Sequence, residues 1–141
     1  MGSDGCSSNC MQVEDGYTCP TAGACTEICG DGYHMGTLAC DDKNTVSGDG
    51  CTNLCVLELG WSCGGGNRAK FDLCDEVCGD GRSVHSYTEH GNMCDDGNNW
   101  IGDGCNQNCV VEFGYTCTGG DPYTPDTCYE TCGDGYNMGV N

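Results

Sequence analysis

Basic residues are almost missing from this chain. Only four of its 141 residues are Lys or Arg, against 22 Asp and Glu, and the formal net charge is −18. Proteins that bind nucleic acid meet the phosphates with clustered Lys and Arg, and docking on anionic lipid needs similar clusters. The composition therefore excludes nucleic acid as a partner and argues against adsorption to an anionic membrane surface.

Large apolar residues are scarce as well. The chain has two Phe and two Trp, and it lacks a run of about 18 apolar residues that would predict a membrane-spanning helix. We therefore predict neither a large hydrophobic core nor membrane insertion in this stretch of sequence.

Cysteine and glycine are abundant instead. The chain has 17 Cys and 25 Gly, and its cysteine content of about 12% exceeds the roughly 8–10% that marks a disulfide scaffold. Each cross-link stabilises a small fold by roughly 2–4 kcal/mol, chiefly by constraining the unfolded chain. Disulfides persist in oxidising compartments, so we predict an extracellular or cell-surface location.

A cysteine-rich motif repeats along the chain. Cys-Gly-Asp-Gly begins at Cys29, Cys78 and Cys132, and Cys-Asp-Asp-x-Asn follows the first two, at Cys40 and Cys94. Each of these two is followed by Gly-Asp-Gly-Cys and then by Glu-x-Gly-aromatic-x-Cys. An internal repeat of this period predicts an array of small, similar units that touch their neighbours.

The motifs divide the chain into a partial repeat, two complete repeats and the start of a further one. The predicted boundaries are 1–28, 29–77, 78–131 and 132–141. Because both ends fall inside a motif and the number of Cys is odd, we expect the sequence to be an excerpt of a longer array.

Secondary structure is predicted to be sparse. Val110 to Cys117 alternates well enough to form a short strand, and Val56 to Cys63 is its counterpart. Asp-Gly dipeptides mark tight turns, and we find no helical stretch of useful length. The predicted fold class is a small disulfide-rich fold: tandem repeats of short β-hairpins and turns with little helix, in an elongated array.

The acidic motifs are candidate calcium ligands. Calcium takes six to eight oxygen ligands, and Gly lets the backbone turn its carbonyls inward. Glu58 and Glu112 complete the acidic motifs. The spacing of the acidic residues within a motif does not match that of an EF-hand loop. The alternative, that Asp and Asn merely cap turns, stays open. We favour Asp96, Asn98 and Asp103, with Asp42, Asn44 and Asp49 as equivalents. The tentative ligands are Asp31, Asp41, Asp42, Asn44, Asp49, Asp80, Asp95, Asp96, Asn98 and Asp103.

The cysteines are predicted to form disulfides and not a metal site. They recur with Cys-x3-Cys spacing, whereas zinc knuckles prefer Cys-x2-Cys or Cys-x4-Cys. The pairing cannot be deduced, since six Cys already allow fifteen patterns. The predicted set is Cys6, Cys10, Cys19, Cys25, Cys29, Cys40, Cys51, Cys55, Cys63, Cys74, Cys78, Cys94, Cys105, Cys109, Cys117, Cys128 and Cys132.

No residue pattern indicates catalysis. His34, His85 and His90 lie between Cys-Gly-Asp-Gly and Cys-Asp-Asp at positions that are not equivalent, and no nucleophile is placed to use them. We interpret them as solvated loop residues and predict that the chain is not an enzyme.

One aromatic residue occupies the same position in each unit. Tyr17, Trp61 and Tyr115 each lie two residues before a Cys. We favour a ring packed over a disulfide as a miniature core, and a row of exposed rings that bind sugar or an adjacent chain is the alternative.

These motifs together resemble the Myxococcus-type cysteine-rich repeat, an uncharacterised domain of surface proteins of myxobacteria and protists. The resemblance extends over essentially all of the chain and is strongest from Cys94 to Cys117. It implies an extracellular, disulfide-bonded, structural repeat and supplies no catalytic residues. The chain departs from the pattern at Lys43 and at Ser3, where Gly is expected.

Our leading functional hypothesis is an extracellular structural protein. It would form a rod, fibre or coat in which the partners are copies of itself or neighbouring repeats, stiffened by calcium. The alternative is an adhesin or receptor ectodomain that binds glycan or protein through its variable loops, which are Gly64 to Leu73, Arg82 to Met93 and Gly119 to Thr127. The chain has no Asn-x-Ser/Thr acceptor, and only the Thr- and Pro-rich loop Asp121 to Thr127 suggests a glycoprotein, through O-linked sugar.

Overall fold

Six short strands, paired two by two, form the regular secondary structure. The computed structural model describes residues 5–7, 12–21, 24–84, 94–133 and 135. The strands are β1 (Tyr17–Thr18), β2 (Thr26–Glu27), β3 (Trp61–Gly64), β4 (Leu73–Glu76), β5 (Tyr115–Thr118) and β6 (Thr127–Glu130). They form three two-stranded sheets, β1–β2, β3–β4 and β5–β6. These ranges contain no helix, so the predicted small, disulfide-rich fold with little helix is confirmed.

The chain divides into two compact units. Unit 1 is Met1–Asp75 and unit 2 is Glu76–Asn141. The core of unit 1 is built around the buried cysteines Cys40, Cys51 and Cys55, and that of unit 2 around Cys94, Cys105 and Cys109. Sulfur therefore occupies the place that large apolar side chains take in an ordinary domain.

The disulfides follow the same pattern in the two complete repeats, 29–77 in unit 1 and 78–131 in unit 2. If the six cysteines of a repeat are numbered in chain order, the first pairs with the fourth, the second with the third and the fifth with the sixth. The bridges are Cys29–Cys55, Cys40–Cys51 and Cys63–Cys74 in unit 1, and Cys78–Cys109, Cys94–Cys105 and Cys117–Cys128 in unit 2. This connectivity answers the question that the spacing left open.

A further bridge closes the first hairpin, and three of the predicted disulfide cysteines, Cys6, Cys10 and Cys132, are not in the seven bridges. Cys19–Cys25 links the end of β1 to the start of β2. Cys132 is exposed and forms no disulfide with another described residue. Cys10 lies outside the described residues. Disulfide bonding is thus confirmed for the fourteen cysteines that form the seven bridges.

The predicted strands start too early. Strands were expected over Val56 to Cys63 and Val110 to Cys117, but β3 begins at Trp61 and β5 at Tyr115. The preceding Gly60 and Gly114 have φ values of 82° and 84°, in the left-handed region that interrupts an extended chain. The apolar residues before them form isolated bridges instead, Cys51 with Leu57 and Cys105 with Val111.

A glycine separates the aromatic ring from the last disulfide in each unit. A Cβ built on Gly50 would lie 2.4 Å from Cβ of Cys74 and 3.1 Å from the ring of Trp61. Trp61 is buried, and Gly104, Cys128 and Tyr115 repeat the contact in unit 2. The second Gly of Gly-Asp-Gly is thus required by close packing, because it lies between the aromatic ring and the sixth cysteine of the repeat.

Candidate functional site

The first Asp of the Asp-Asp pair in unit 1 is a buried structural carboxylate. Asp41 is fully buried. Its Oδ2 accepts the backbone N–H of Gly30 at 2.9 Å, and its Oδ1 accepts those of Gly32 at 2.9 Å and Lys43 at 3.0 Å. A buried carboxylate is tolerated when hydrogen bonds replace its water. Asp41 therefore joins the Cys-Gly-Asp-Gly loop to the loop that follows Cys40.

Unit 2 repeats this arrangement at Asp95. Asp95 is fully buried and accepts the N–H groups of Gly79 at 2.8 Å and of Gly81 and Gly97 at 2.9 Å. These amides already use both oxygens of each buried carboxylate. Asp41 and Asp95, which the sequence offered as tentative calcium ligands, are thus occupied by backbone amides.

A second buried carboxylate, which sequence reasoning missed, supports the first. Oδ2 of Asp72 accepts the N–H of Asp41 at 2.9 Å and its Oδ1 accepts that of Gly66 at 2.8 Å. The backbone N–H of Asp72 donates to the carbonyl of Asp41 at 2.7 Å. Asp126 makes the equivalent contacts with Asp95 in unit 2. The available signal was that both residues stand two before the sixth cysteine of their unit.

His34 takes part in this network and is not the solvated loop residue that was expected. Its side chain is 19% exposed, and Nδ1 lies 2.6 Å from Oδ2 of Asp72, while Nε2 lies 3.1 Å from the carbonyl of Leu38. In unit 2 the equivalent residue is Ser83, whose hydroxyl donates to Asp126 at 2.7 Å. His34 and Ser83 thus each supply one hydrogen-bond donor to the equivalent buried carboxylate of their unit. His85 and His90 lie outside the described residues.

Glu27 fixes the loop that follows the Cys-Gly-Asp-Gly motif of unit 1. Its carboxylate accepts backbone N–H groups of Met35, Gly36, Thr37 and Leu38 and the hydroxyl of Thr37. Burial by itself would raise the pKa of Glu27, but these hydrogen bonds favour the ionised form and hold the pKa below its usual value. Sequence reasoning missed this residue too, although Glu precedes Cys-Gly-Asp-Gly by two positions in all three copies.

Glu58 holds the Gly-Asp-Gly loop of unit 1. Its Oε2 accepts the N–H of Gly48 at 2.7 Å and that of Gly50 at 2.9 Å. Glu112 holds the equivalent loop of unit 2 in the same way. These two glutamates are thus occupied by the backbone, as a turn-capping role predicts.

The favoured candidates of unit 1, Asp42, Asn44 and Asp49, lie together. Asn44 donates its side-chain Nδ2–H to Asp49 at 2.9 Å, and its Oδ1 accepts the N–H of Val46 at 2.6 Å. Oδ2 of Asp42 and Oδ1 of Asp49 are buried with no hydrogen-bond partner among the described residues. Asn44 therefore positions Asp49, and the two carboxylates keep buried oxygens without a donor.

The electrostatics of this pair favour a cation or a proton. The pKa of Asp42 is raised from 3.8 to about 6, first by burial and next by the negative charge of Asp49. Two carboxylates that share a site cannot both ionise at low cost.

Unit 2 has the same cluster at Asp96, Asn98 and Asp103. Burial and then the charge of Asp103 raise the pKa of Asp96, and Oδ1 of Asp103 is buried without a described partner. Oδ1 of Asn98 accepts the N–H of Trp100 at 2.7 Å, as Asn44 does with Val46. The recurrence shows that the pair belongs to the repeat and not to one unit.

The remaining candidates, Asp31 and Asp80, belong to the Cys-Gly-Asp-Gly loops. Oδ1 of Asp31 accepts the N–H of Tyr33 at 3.0 Å, and Oδ1 of Asp80 that of Arg82 at 2.9 Å. Burial is the largest factor that raises the pKa of each of these two carboxyls. Within the described ranges, no group of three or more His, Cys, Asp and Glu side chains is placed to hold a metal ion.

Comparison with known proteins supplies a domain but no activity. Residues 8–56, about a third of the chain, match the model of a domain of unknown function, DUF4215. Nothing in this match connects the chain to a Myxococcus-type repeat, so that resemblance stays a prediction. Among curated proteins and among solved structures no match to the chain was found. The described part of the chain contains no helix with the length and hydropathy needed to cross a bilayer. The disulfide-rich chain fits an extracellular or secreted protein, and its similarity is to a domain of unknown function.

Proposed function

We propose that this chain is an extracellular structural repeat protein whose units build a rod, fibre or coat. The observation that supports this most is the identical pairing of cysteines in the two units, around cores made largely of sulfur. A unit that is held covalently and has few large apolar residues is suited to resisting unfolding outside the cell. The proposal assigns the units no catalytic step.

Rigidity within a unit is a second argument for a structural role. Asp41 and Asp72 are both buried and bind backbone groups of loops that are far apart in sequence. Charge-assisted hydrogen bonds of this kind are stronger than neutral ones. Together with the three disulfides of a complete repeat they leave little freedom to its loops, which is what a load-bearing repeat requires.

We further propose that each unit binds one calcium ion between its second Asp and the Asp of Gly-Asp-Gly. The carboxylates would be Asp42 and Asp49 in unit 1 and Asp96 and Asp103 in unit 2, with Asn44 and Asn98 as positioning residues. The support is that the pKa values of Asp42 and Asp96 are raised and that Asp42, Asp49 and Asp103 each keep a buried oxygen without a donor among the described residues. The bound cation would supply the positive charge that neutralises the pair. Two carboxylates plus water predict the weak affinity of extracellular calcium modules, with a Kd of about 10⁻⁴–10⁻³ M.

The two parts of this proposal need separate experiments. Electron microscopy of the native full-length protein should show rods, fibres or a coat, and dispersed globular particles would contradict the structural role. Calorimetric titration of calcium should show two weak sites that the quadruple variant D42N/D49N/D96N/D103N lacks. An unchanged titration in that variant would contradict the calcium sites without bearing on the assembly.

A binding module is the second candidate function. The observation in its favour is a small cavity in unit 1, partly walled by the variable loop Gly64 to Leu73.

A further inference from the structure

Two of the four basic residues line one cavity in unit 1. The cavity has a volume of about 210 Å³ and is lined by Asp31, Tyr33, Lys43, Lys70 and Phe71, among others. Two lysines and one aspartate give this cavity a positive balance in a chain whose formal charge is −18. The overall negative charge of the chain does not explain a positively charged cavity at this position.

Lys43 adopts a backbone conformation that disfavours side chains. Its φ is 74°, in the left-handed region, and the equivalent residue in unit 2 is Gly97, with a φ of 86°. Strain of this kind persists where the surroundings over-determine it, and it clusters at binding sites. A glycine at position 43 would adopt this φ with less strain, so the geometry of the turn does not explain why residue 43 is a lysine.

The side chain of Lys43 is placed by its contacts. A Cβ built on Gly32 would lie 2.9 Å from Cγ of Lys43, so the stem of the lysine packs over this glycine. Its Nζ lies 5.5 Å from the centroid of the Phe71 ring, within the range of a cation–π contact. The ammonium is therefore held at the aromatic wall of the cavity.

Unit 2 shows that the shared framework does not need these side chains. Counted from the nearest cysteines, Gly97 stands for Lys43, Thr124 for Lys70 and Pro125 for Phe71. The disulfides and the buried carboxylates are nevertheless the same in both units. Lys43, Lys70 and Phe71 are thus specific to unit 1 and separable from its fold, whereas unit 2 has a cation of its own, Arg82, at the position of Tyr33.

We propose that this cavity binds a hexuronate residue at the end of an acidic glycan. The ammonium groups of Lys43 and Lys70 would bind the carboxylate through charge-assisted hydrogen bonds, and the rings of Tyr33 and Phe71 would face the apolar side of the sugar ring. The carboxylate of Asp31 would accept hydrogen bonds from hydroxyl groups of the sugar.

Size and charge determine which part of a glycan fits. Sites for drug-sized ligands measure about 300–1,000 Å³, so a cavity of about 210 Å³ suits a single ring. The strongly negative chain repels an extended polyanion, which favours one terminal acidic residue over the interior of a polymer. This inference rests on the second candidate function, the binding module, and is independent of the calcium sites.

The test uses the whole chain and the variant K43G, which restores the glycine found in unit 2. The probe is a neutral trisaccharide that carries one terminal glucuronate, followed by amide chemical shifts and calorimetry. We expect the wild type to bind and K43G to bind at least about tenfold more weakly, because a hydrogen bond to a charged group is lost. K43G should melt at the same temperature as the wild type or higher, since the strain at residue 43 is relieved.

Three controls make the outcome decisive. R68Q removes a cation of the same loop that pairs with Glu14, at 3.9 Å, and should leave binding unchanged. The same trisaccharide with glucose in place of glucuronate should not bind. Inorganic sulfate should compete only weakly.

The proposal is overturned by either of two results. One is equal binding by wild type and K43G; a lower melting temperature of K43G in that case would make the Lys43–Phe71 contact structural. The other is sulfate binding as tight as that of the sugar, which would reduce the site to a general anion site. Neither of these results depends on calcium, so the titration described above fails or succeeds separately.

Discussion

The substitution D49N separates the electrostatic cost of the Asp42–Asp49 pair from its proposed use as a calcium site. In the calcium-free protein the pKa of Asp42 is raised from 3.8 to about 6. A group whose pKa is raised on folding contributes stability that is fully present below its unfolded pKa and is lost as the pH rises through the folded pKa. The Asp42–Asp49 pair should therefore leave the free energy of unfolding unchanged or raise it at pH 3, and should lower it at pH 7.

The magnitude follows from this shift. A rise in pKa from 3.8 to about 6 corresponds to about 3 kcal/mol at neutral pH if it is fully expressed. The pair is partly exposed, and solvent screening reduces its effect to about 1 kcal/mol. Burial is the larger cause of the shift and persists in D49N, so in EDTA at pH 7 the substitution should raise the free energy of unfolding by only about 0.5 kcal/mol, or the melting temperature by roughly 2–4 °C. At pH 3 the two proteins should unfold alike.

Calcium should reverse the order of the two proteins. At a calcium concentration 100 times the Kd, one site adds about 2.7 kcal/mol to the stability of the wild type, and D49N should lose most of this gain in unit 1. Native-state hydrogen exchange of β3 and β4 reports on unit 1 separately from unit 2. D75N, which neutralises an exposed carboxylate, is the matched control and should follow the wild type. Equal calcium protection of D49N and the wild type, or a D49N less stable than the wild type in EDTA at pH 7, would refute the reasoning.

Three further predictions concern the buried carboxylates. D95N should lower the free energy of unfolding by about 3 kcal/mol in chemical denaturation, because the amide replaces a charged acceptor of three backbone N–H groups; a loss below about 1 kcal/mol would contradict this. H34S should leave the free energy of unfolding nearly unchanged, because Ser83 serves that position in unit 2. H34L should lower it by about 1–3 kcal/mol, because it removes a donor to buried Asp72. Equal melting temperatures of the two variants would count against the His34–Asp72 pairing. The pKa of Glu27 is lowered, so the stability that Glu27 contributes should be present above its unfolded pKa and be lost as the pH falls through its folded pKa. E27Q should flatten the curve of stability against pH in this range. An unchanged curve would exclude a contribution from the ionised Glu27.

Local spacing was enough to predict the character of the fold. The repeated cysteines and glycines indicated a disulfide-rich chain with little helix, and the structure confirms it. The favoured acidic trios were also predictable, because Asp42, Asn44 and Asp49 lie within eight positions and their equivalents recur in the next unit. Strand starts were harder to predict, since the alternating pattern before Trp61 gives no sign that Gly60 turns the chain at a φ of 82°.

What the sequence determined by itself is therefore composition and periodicity: covalent cross-links replace a large core, and the acidic motifs recur in each unit. Tertiary structure alone decided which cysteines pair and which carboxylates are buried. Asp41 and its supporting Asp72 are 31 positions apart, and the same separation joins Asp95 to Asp126. Two adjacent aspartates look alike in sequence, but one is folded against backbone amides from distant loops while the other faces a second carboxylate. Burial and hydrogen bonding set their chemistry, and both depend on contacts that only the folded chain makes.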